Sequence, residues 1–148
     1  MALKASEIKV GDTYEATLVE DLKRTQIVMY AGASGDYNPV HTDEVFVTKQ
    51  AGYPTVFAHG MLSMGFVAQS VTDWLGVGTA QKIGVRFAGL VRLGDVITCR
   101  GKVVAKRPAK EPGRGPGQVD LELWAENQKG EKVVTGRATA GLVSREND

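Results

Sequence analysis

The chain has 148 residues, 43% of them hydrophobic and 24% charged, and its formal net charge is +1. A chain of this length can bury one core, and we expect residues 1–148 to form a single domain. The small net charge gives no long-range attraction to nucleic acid or to an anionic membrane, so neither is an expected partner. There is one cysteine, Cys99, and no apolar run reaches the roughly 18 residues of a membrane span. We expect a soluble, cytoplasmic protein in which Cys99 is a buried, inert thiol.

The first half of the chain predicts one strand and two short helices. IKVGDTYEATLVE has a Gly-Asp turn followed by alternation, which indicates an early strand. Thr25 is the predicted cap of a helix in TQIVMYAGAS, and Thr42 or Asp43 is the predicted cap of another that runs to Gln50. The side chains of the first helix that we expect to face inward are Ile27, Val28, Tyr30 and Ala31.

The longest helical pattern is HGMLSMGFVAQSVTDWLG, which is apolar on most sides and is therefore expected to be largely covered by other structure. Strand patterns follow it in TAQKIGVRFAGL, in VITCRGKVVAK and in two alternating runs joined by a turn at Asn127–Gly130. This order predicts an α+β fold with one curved antiparallel sheet around a long central helix. A small sheet leaves an edge strand that a second copy can cover, so we expect a homodimer.

The stretch SGDYNPVHTD combines groups that suit proton transfer. Pro39 fixes its own backbone and restricts Asn38, so the segment is stiff and can direct Asp36 and His41 at one point. A carboxylate and an imidazole around one water form a general acid–base pair. Each residue also has a structural interpretation, because Asp36 can cap a turn and His41 can be a satisfied helix-entry residue.

The second histidine stands in FAHGML, at the start of the long helix. The first N–H groups of a helix have no intrahelical partner, and Gly60 has no side chain to block an approaching oxygen. This predicts an oxyanion site at the Gly60 N–H, with apolar walls supplied by the helix. His59 is either part of that site or a structural residue that holds a loop through its ring nitrogens.

A metal centre is the alternative use of Asp36, His41, Asp43 and His59, because two histidines and a carboxylate can bind iron. No HxxxH spacing or further His/Glu cluster supports it, so we expect no metal. Ser63 does not stand in a GxSxG motif, which argues against acyl-serine chemistry.

SGDYNPVHTD followed by AGYPTVFAHGMLSMG resembles the motif of the MaoC-like dehydratases of the hotdog fold, which include (R)-specific enoyl-CoA hydratases. The resemblance extends from KVGD to RFAGLVRLGDVITCRGKV. In addition, TDWLG and the strand after it resemble the subunits that dehydrate (3R)-hydroxyacyl-carrier-protein chains. It implies Asp36 and His41 as the catalytic pair, Asn38 as their support and the Gly60 N–H as the thioester oxygen site. It also implies that no cofactor is needed. The serine that some relatives carry further along the helix has no counterpart in Met64–Ala68, and neither Ser63 nor Gln69 is a firm substitute.

The resemblance implies (R)-specific hydration of trans-2-enoyl thioesters, or the reverse dehydration, on coenzyme A or an acyl carrier protein. Two alternatives remain: a hotdog acyl-CoA thioesterase, and a subunit of a heterodimeric dehydratase. The basic loop KRPAKEPGRGPGQ, with Lys106, Arg107, Lys110 and Arg114, either meets the carrier or is simply solvated.

Overall fold

The computed structural model describes residues 7–108 and 117–142. The five strands are β1 (Thr13–Val19), β2 (Ala80–Phe87), β3 (Ile97–Arg107), β4 (Gly117–Glu126) and β5 (Lys132–Leu142). The three α-helices in this part of the chain are α1 (Arg24–Ser34), α2 (Glu44–Lys49) and α3 (Gly60–Leu75), and a short 3₁₀ turn spans Pro39–His41. None of these helices is long and apolar enough to cross a membrane.

All five strands belong to one antiparallel sheet with the order β1-β3-β4-β5-β2. Alternate side chains of β3 and β4 are buried, as their period-two patterns predict, and α3 packs against that face. The predicted α+β architecture is therefore confirmed, as is the turn at Asn127–Gly130, which joins β4 to β5. Cys99 lies in the core with no exposed surface, and burial raises the pKa of its thiol to about 12. The predicted burial of Cys99 is confirmed, and a thiol with so high a pKa is expected to be inert.

A glycine in β3 lets α3 approach the sheet closely. A Cβ at Gly101 would lie 2.9 Å from the ring of Trp74 and 3.2 Å from Leu123. The Trp74 ring stacks on Tyr14 of β1, with ring centroids 5.5 Å apart, directly beside the Tyr14–Gly101 strand pair. The C-terminal half of α3 is thus fixed over β1 and β3, which orients the whole helix and its N-terminus.

The cover over α3 is one-sided in the single chain. The residues that face the sheet are Leu62, Ser63, Phe66, Val67, Ser70, Val71 and Leu75. On the opposite side, Gly65 and Gln69 are exposed and Met61 retains 56% of its accessible surface. One layer of strands covers one side of a helix, so an apolar strip at the N-terminal half of α3 stays open to solvent.

The short helices differ in detail from the predictions. α1 begins at Arg24 with Lys23 at its N-cap, so Thr25 is not the cap, and no side chain caps this helix. Ile27 and Ala31 are buried, whereas Val28 is 47% exposed because only one face of α1 meets the core. Asp43 caps α2 as predicted, since its Oδ1 accepts from the N–H of Phe46 at 2.9 Å.

The predicted basic loop begins later than expected because β3 continues through Arg107. Lys106 donates to the carbonyl of Ile8 at 3.0 Å, and Arg107 pairs with Asp120 of β4, with a second contact at 2.7 Å. These two cations are therefore engaged within the fold. Lys110 and Arg114 lie outside the described residues.

Candidate active site

The loop that carries Asp36 is shaped by its own backbone bonds. Gly35 ends α1 with a positive φ of 76°, which turns the chain sharply away from the helix. The Asp36 N–H donates to Ser34 Oγ, and the Asn38 N–H donates to Asp36 Oδ1, both at 3.2 Å. Asp36 therefore caps a turn with one carboxylate oxygen, as its structural interpretation predicts, and Oδ2 is left available for the catalytic role, which stays a prediction.

Asn38 begins the next turn. Its Oδ1 accepts from the Val40 N–H at 3.2 Å, and Pro39 occupies the first position of the 3₁₀ turn that ends at His41. These bonds hold the backbone between Asp36 and His41 in one conformation. Asn38 thus holds the loop through local contacts, which is the supporting position that the sequence predicts for it.

His41 is held by a backbone carbonyl. Its Nδ1 lies 2.8 Å from the carbonyl oxygen of Phe57, and because a carbonyl only accepts, Nδ1 carries the hydrogen. In the neutral ring Nε2 then carries no hydrogen and has a free lone pair. The Nε2 atom lies 4.0 Å from Asp36 Oδ2. That separation is too long for a direct hydrogen bond and suits one water between the two groups.

The surroundings of His41 keep it neutral. The side chain of His41 is 10% exposed and that of Asp36 is 52% exposed. Burial lowers the pKa of His41, and the neighbouring His59 lowers it further, whereas the carbonyl of Phe57 and the carboxylate of Asp36 act in the opposite direction. The net effect is a pKa below the usual histidine value, so the Nε2 lone pair is ready to take a proton at neutral pH.

His59 joins the two predicted segments. Its Nε2 donates to the backbone carbonyl of Asp36 at 3.0 Å, and its ring stacks on that of His41 with centroids 3.8 Å apart and planes 26° apart. The ring of Tyr30, from α1, meets His59 edge-on at 4.9 Å. The structure therefore brings Asp36, His41 and His59 together, as the two motifs predict.

Gly60 is the first residue of α3, so its N–H stands at the positive end of the helix, directly after His59. A Cβ at this position would lie 3.3 Å from the ring of Phe87, which comes from the end of β2. The missing side chain therefore lets Phe87 close one side of the helix N-terminus. The Gly60 N–H stays a predicted oxyanion donor with an aromatic wall beside it.

Only three of the four residues in the alternative metal set lie together. One potential ligand atom from each of Asp36, His41 and His59 lies within 4.8 Å of the others. Asp43, the fourth residue of that set, is not part of this group and instead caps α2.

Three contributors to the site have no signal in the sequence. The Phe57 carbonyl sets the His41 tautomer, but a backbone group leaves no trace in a residue pattern. Tyr30 and Phe87 reach the site from α1 and β2, and only the tertiary fold places them there. Of the two α3 residues considered in place of the missing serine, Ser63 is buried and Gln69 is exposed with its amide 3.4 Å from Asp73.

Comparison with known families decides the classification. The family model described as MaoC like domain matches residues 5–125. The chain belongs to the MaoC-like family. The resemblance drawn from SGDYNPVHTD and AHGML is confirmed, and the matched range contains every predicted site residue.

Relatives of this MaoC-like protein have hydratase names. It is 33% identical over 107 residues to the (R)-specific enoyl-CoA hydratase of Rhodospirillum rubrum, across 71% of this chain and 72% of that protein. The fold matches R-hydratase PhaJ1 from Pseudomonas aeruginosa with a TM-score of 0.84 and 27% identity, over 97% of this chain and 88% of that one. The fold also matches the ChsH1-ChsH2 complex from Mycobacterium tuberculosis, with a TM-score of 0.74 and 27% identity, over 91% of this chain and 98% of that one. The hotdog fold is thereby confirmed. Some other curated relatives are far longer, and the chain spans only 9% and 6% of two of them.

Proposed function

We propose that this MaoC-like protein catalyses (R)-specific hydration of trans-2-enoyl thioesters and the reverse dehydration of (3R)-hydroxyacyl thioesters. The observation that carries the proposal is the pair formed by Asp36 Oδ2 and His41 Nε2, 4.0 Å apart, on a loop that His59 ties to the start of α3. The hydratase names of its relatives support the same reaction class.

In the hydration direction, His41 is the base. Its neutral Nε2 removes a proton from a water as the water oxygen bonds to the β-carbon of the enoyl thioester. The electrons of the carbon–carbon double bond move toward the thioester and produce an enolate-like transition state. The lowered pKa of His41 supports this role, because the ring is deprotonated before the reaction begins.

In the proposed cycle Asp36 begins as the carboxylic acid and gives its proton to the α-carbon. After that transfer the α-carbon holds one new hydrogen, the β-carbon holds the hydroxyl, and His41 holds the proton taken from water. Transfer of that proton from His41 back to Asp36 resets the pair, and the net reaction adds one water. Dehydration runs through the same groups in reverse. The two residues titrate as a coupled pair, and the assignment of base and acid is part of the proposal.

The Gly60 N–H is the proposed donor to the thioester oxygen. Negative charge develops on that oxygen in the transition state, and an N–H at a helix N-terminus meets it without reorganisation. One such donor stabilises the transition state by about 2.7–4 kcal/mol. The addition of water is redox-neutral and the charge is met by an N–H, so the proposal needs no metal and no redox cofactor.

We further propose that the enzyme works as a homodimer in a reducing, cytoplasmic compartment, on a thioester of coenzyme A or a carrier protein. Strand β2 lies at an edge of the sheet, and the elements that carry the site, together with β2, hold exposed apolar side chains. These side chains, with exposures of 49% to 70%, are Met29, Tyr37, Met61 and Phe87. A second copy, or a different hotdog chain as the match to a two-protein complex suggests, would cover them.

Product analysis tests the reaction. The purified chain is incubated with a trans-2-enoyl-CoA series and with the matching acyl-carrier-protein thioesters, and the products are resolved by chiral chromatography. The expected product is the (3R)-hydroxyacyl thioester with the thioester bond intact. Formation of the (3S) product, or release of free thiol without a hydroxyacyl thioester, would contradict the proposal, and the second result would favour a thioesterase.

A further inference from the structure

His59 occupies the centre of the site, yet the proposed reaction gives it no step. It is only 1% exposed, although it directly precedes the N-terminus of α3. Its polar contact is with the backbone of Asp36 and its ring contacts are with His41 and Tyr30. A buried, ionisable ring in contact with both halves of the acid–base pair needs a physical account.

We propose that His59 is a positioning residue: its Nε2–H holds the backbone of Asp36, and its ring, stacked on His41, helps to keep His41 in the neutral form. This rests on the proposed function, because it explains how the pair is maintained rather than what it acts on.

His59 holds the Asp36 turn from outside that turn. The two bonds that shape its turn, from its own N–H to Ser34 and from the Asn38 N–H to its Oδ1, are both local and at 3.2 Å. The bond from His59 Nε2 to the Asp36 carbonyl is shorter, at 3.0 Å, and comes from 23 residues along the chain. It therefore fixes the exposed turn relative to α3, and with it the separation between the carboxylate and the Gly60 N–H.

The contacts of His59 also determine its tautomer. The carbonyl of Asp36 can only accept, so the hydrogen lies on Nε2. Nδ1 is buried and, within the described residues, has no hydrogen-bond partner in the protein. A hydrogen on Nδ1 would be a buried donor without an acceptor, which costs about 1–3 kcal/mol. The site therefore favours opposite tautomers in the two stacked rings: Nδ1–H in His41 and Nε2–H in His59.

The stacked His59 ring also affects the charge on His41. The titratable groups that face His41 are Asp36 on the loop and His59 before α3. Tyr30 of α1 contacts the His59 ring edge-on. With ring centroids 3.8 Å apart, a positive charge on one imidazole strongly disfavours a positive charge on the other. His59 acts on the pKa of His41 in the same direction as burial, downward, which preserves the base.

Two amide variants separate these effects. The side-chain nitrogen of His59→Gln reaches the place of Nε2 and can still donate to Asp36, whereas that of His59→Asn reaches only the place of Nδ1. Both remove the ring. We expect His59→Asn to lower kcat by about 10- to 100-fold with little change in KM, and His59→Gln to recover most of that loss. Equal kcat values in the two variants, or a wild-type kcat in His59→Asn, would overturn the positional part.

The chain has only two histidines, so either variant leaves His41 as the single imidazole in tag-free protein. NMR titration of its ring then reads the pKa of His41 directly. We expect this pKa to be higher in both variants than in the wild type, and an unchanged value would overturn the electrostatic part. Near-ultraviolet circular dichroism establishes that each variant is folded.

If the variants do not fold, a measurement on the unmodified chain still tests the inference. Nitrogen-15 shifts of the two imidazoles at neutral pH should show one Nδ1–H and one Nε2–H tautomer, and two rings of the same tautomer would overturn the inference. None of the NMR readouts needs turnover. If the wild type lacks hydratase activity, the proposed function fails while His59 is still tested independently.

Discussion

The Nδ1–H of His41 donates to the backbone carbonyl of Phe57 across 2.8 Å, and this bond decides which ring nitrogen meets Asp36. Phe57 is itself fixed, because it forms a β-bridge with Arg92 and the next N–H, that of Ala58, donates to the carbonyl of Val91 at 2.9 Å. The acceptor therefore cannot rotate away. The His41 ring has a set orientation, and Nε2 is the atom available to a water or a substrate.

The pH dependence of turnover should follow from the burial of His41. Burial and His59 lower the pKa of His41, so the ring stays a neutral base below the usual histidine value of about 6.5. We expect the hydration rate to stay high as the pH falls to about 6.5, and to fall only as it passes through the lowered pKa. A pH series of kcat/KM with a short enoyl thioester measures this. An acid limb centred above 6.5 would contradict the description of the site.

The same shift predicts a pH dependence of stability. The pKa of His41 is lower in the folded protein than in the unfolded chain. The stabilisation that comes from neutral His41 is therefore fully present above about pH 6.5 and is lost as the pH falls toward the folded pKa. The free energy of unfolding should fall in that window by at most about 1.4 kcal/mol per pH unit from this residue. Urea denaturation at several pH values measures it, with His41→Ala as the control in which this component disappears.

Gly60→Ala should impair catalysis, whereas Gly65→Ala on the same helix should not. A Cβ at position 60 would meet the Phe87 ring at 3.3 Å, beside the proposed oxyanion donor, but at position 65 nothing lies within 4 Å. Alanine keeps the N–H, but its methyl group crowds the approach of the thioester oxygen and pushes on Phe87. We therefore expect kcat/KM to fall at least about 10-fold in Gly60→Ala, less than the 10²–10³ in kcat that complete loss of such a donor typically costs. Gly65→Ala should raise stability by about 0.5–1 kcal/mol through helix propensity. Equal activity in both variants would argue against the oxyanion role.

Gly101→Ala should destabilise the fold without acting on the site directly. The added Cβ would lie 2.9 Å from the Trp74 ring, which is fixed by its stack on Tyr14. Overpacking of this kind costs about 1–3 kcal/mol. Gly84→Ala, on an exposed part of β2 with nothing within 4 Å, is the matched control. Chemical denaturation of both variants measures the difference, and equal midpoints would show that α3 can shift away from the sheet.

Cys99 should resist thiol reagents in the folded protein. The side chain has no exposed surface and burial raises its pKa to about 12, so almost no thiolate is present at pH 8. We expect no reaction with a chromogenic disulfide until denaturant is added, and then one thiol per chain. Rapid labelling of the native protein would show that β3 opens readily. An unreactive Cys99 also means that free coenzyme A can be measured in the same assay without interference.

Sequence reasoning reached the fold and the proximity of the two motifs for identifiable reasons. The period-two runs of β3 and β4 and the long apolar pattern of α3 are strong signals, and Pro39 makes the loop between Asp36 and His41 stiff. The one-sided cover of α3 was not predictable, because an apolar helix surface looks the same whether a strand or a second chain covers it. Val28 was misplaced for a related reason, since α1 buries only a narrow face.

The finer geometry of the site depends on groups that a residue pattern does not report. The His41 tautomer is set by a backbone carbonyl, and the stacked arrangement of the two rings depends on where α3 begins relative to the Asp36 loop. Phe87 approaches Gly60 only because β2 ends beside the N-terminus of α3. These relationships are tertiary, and local patterns carry no information about them.

The most direct test of the central claim is the loss of enoyl-thioester absorbance in three proteins: the wild type, Asp36→Asn and His41→Ala. The account predicts rapid loss with the wild type and rates lower by about 10²–10⁴-fold in each variant, with the fold and the oligomeric state unchanged. Wild-type-like rates in either variant, or no loss of absorbance with the wild type on any chain length or carrier, would contradict it.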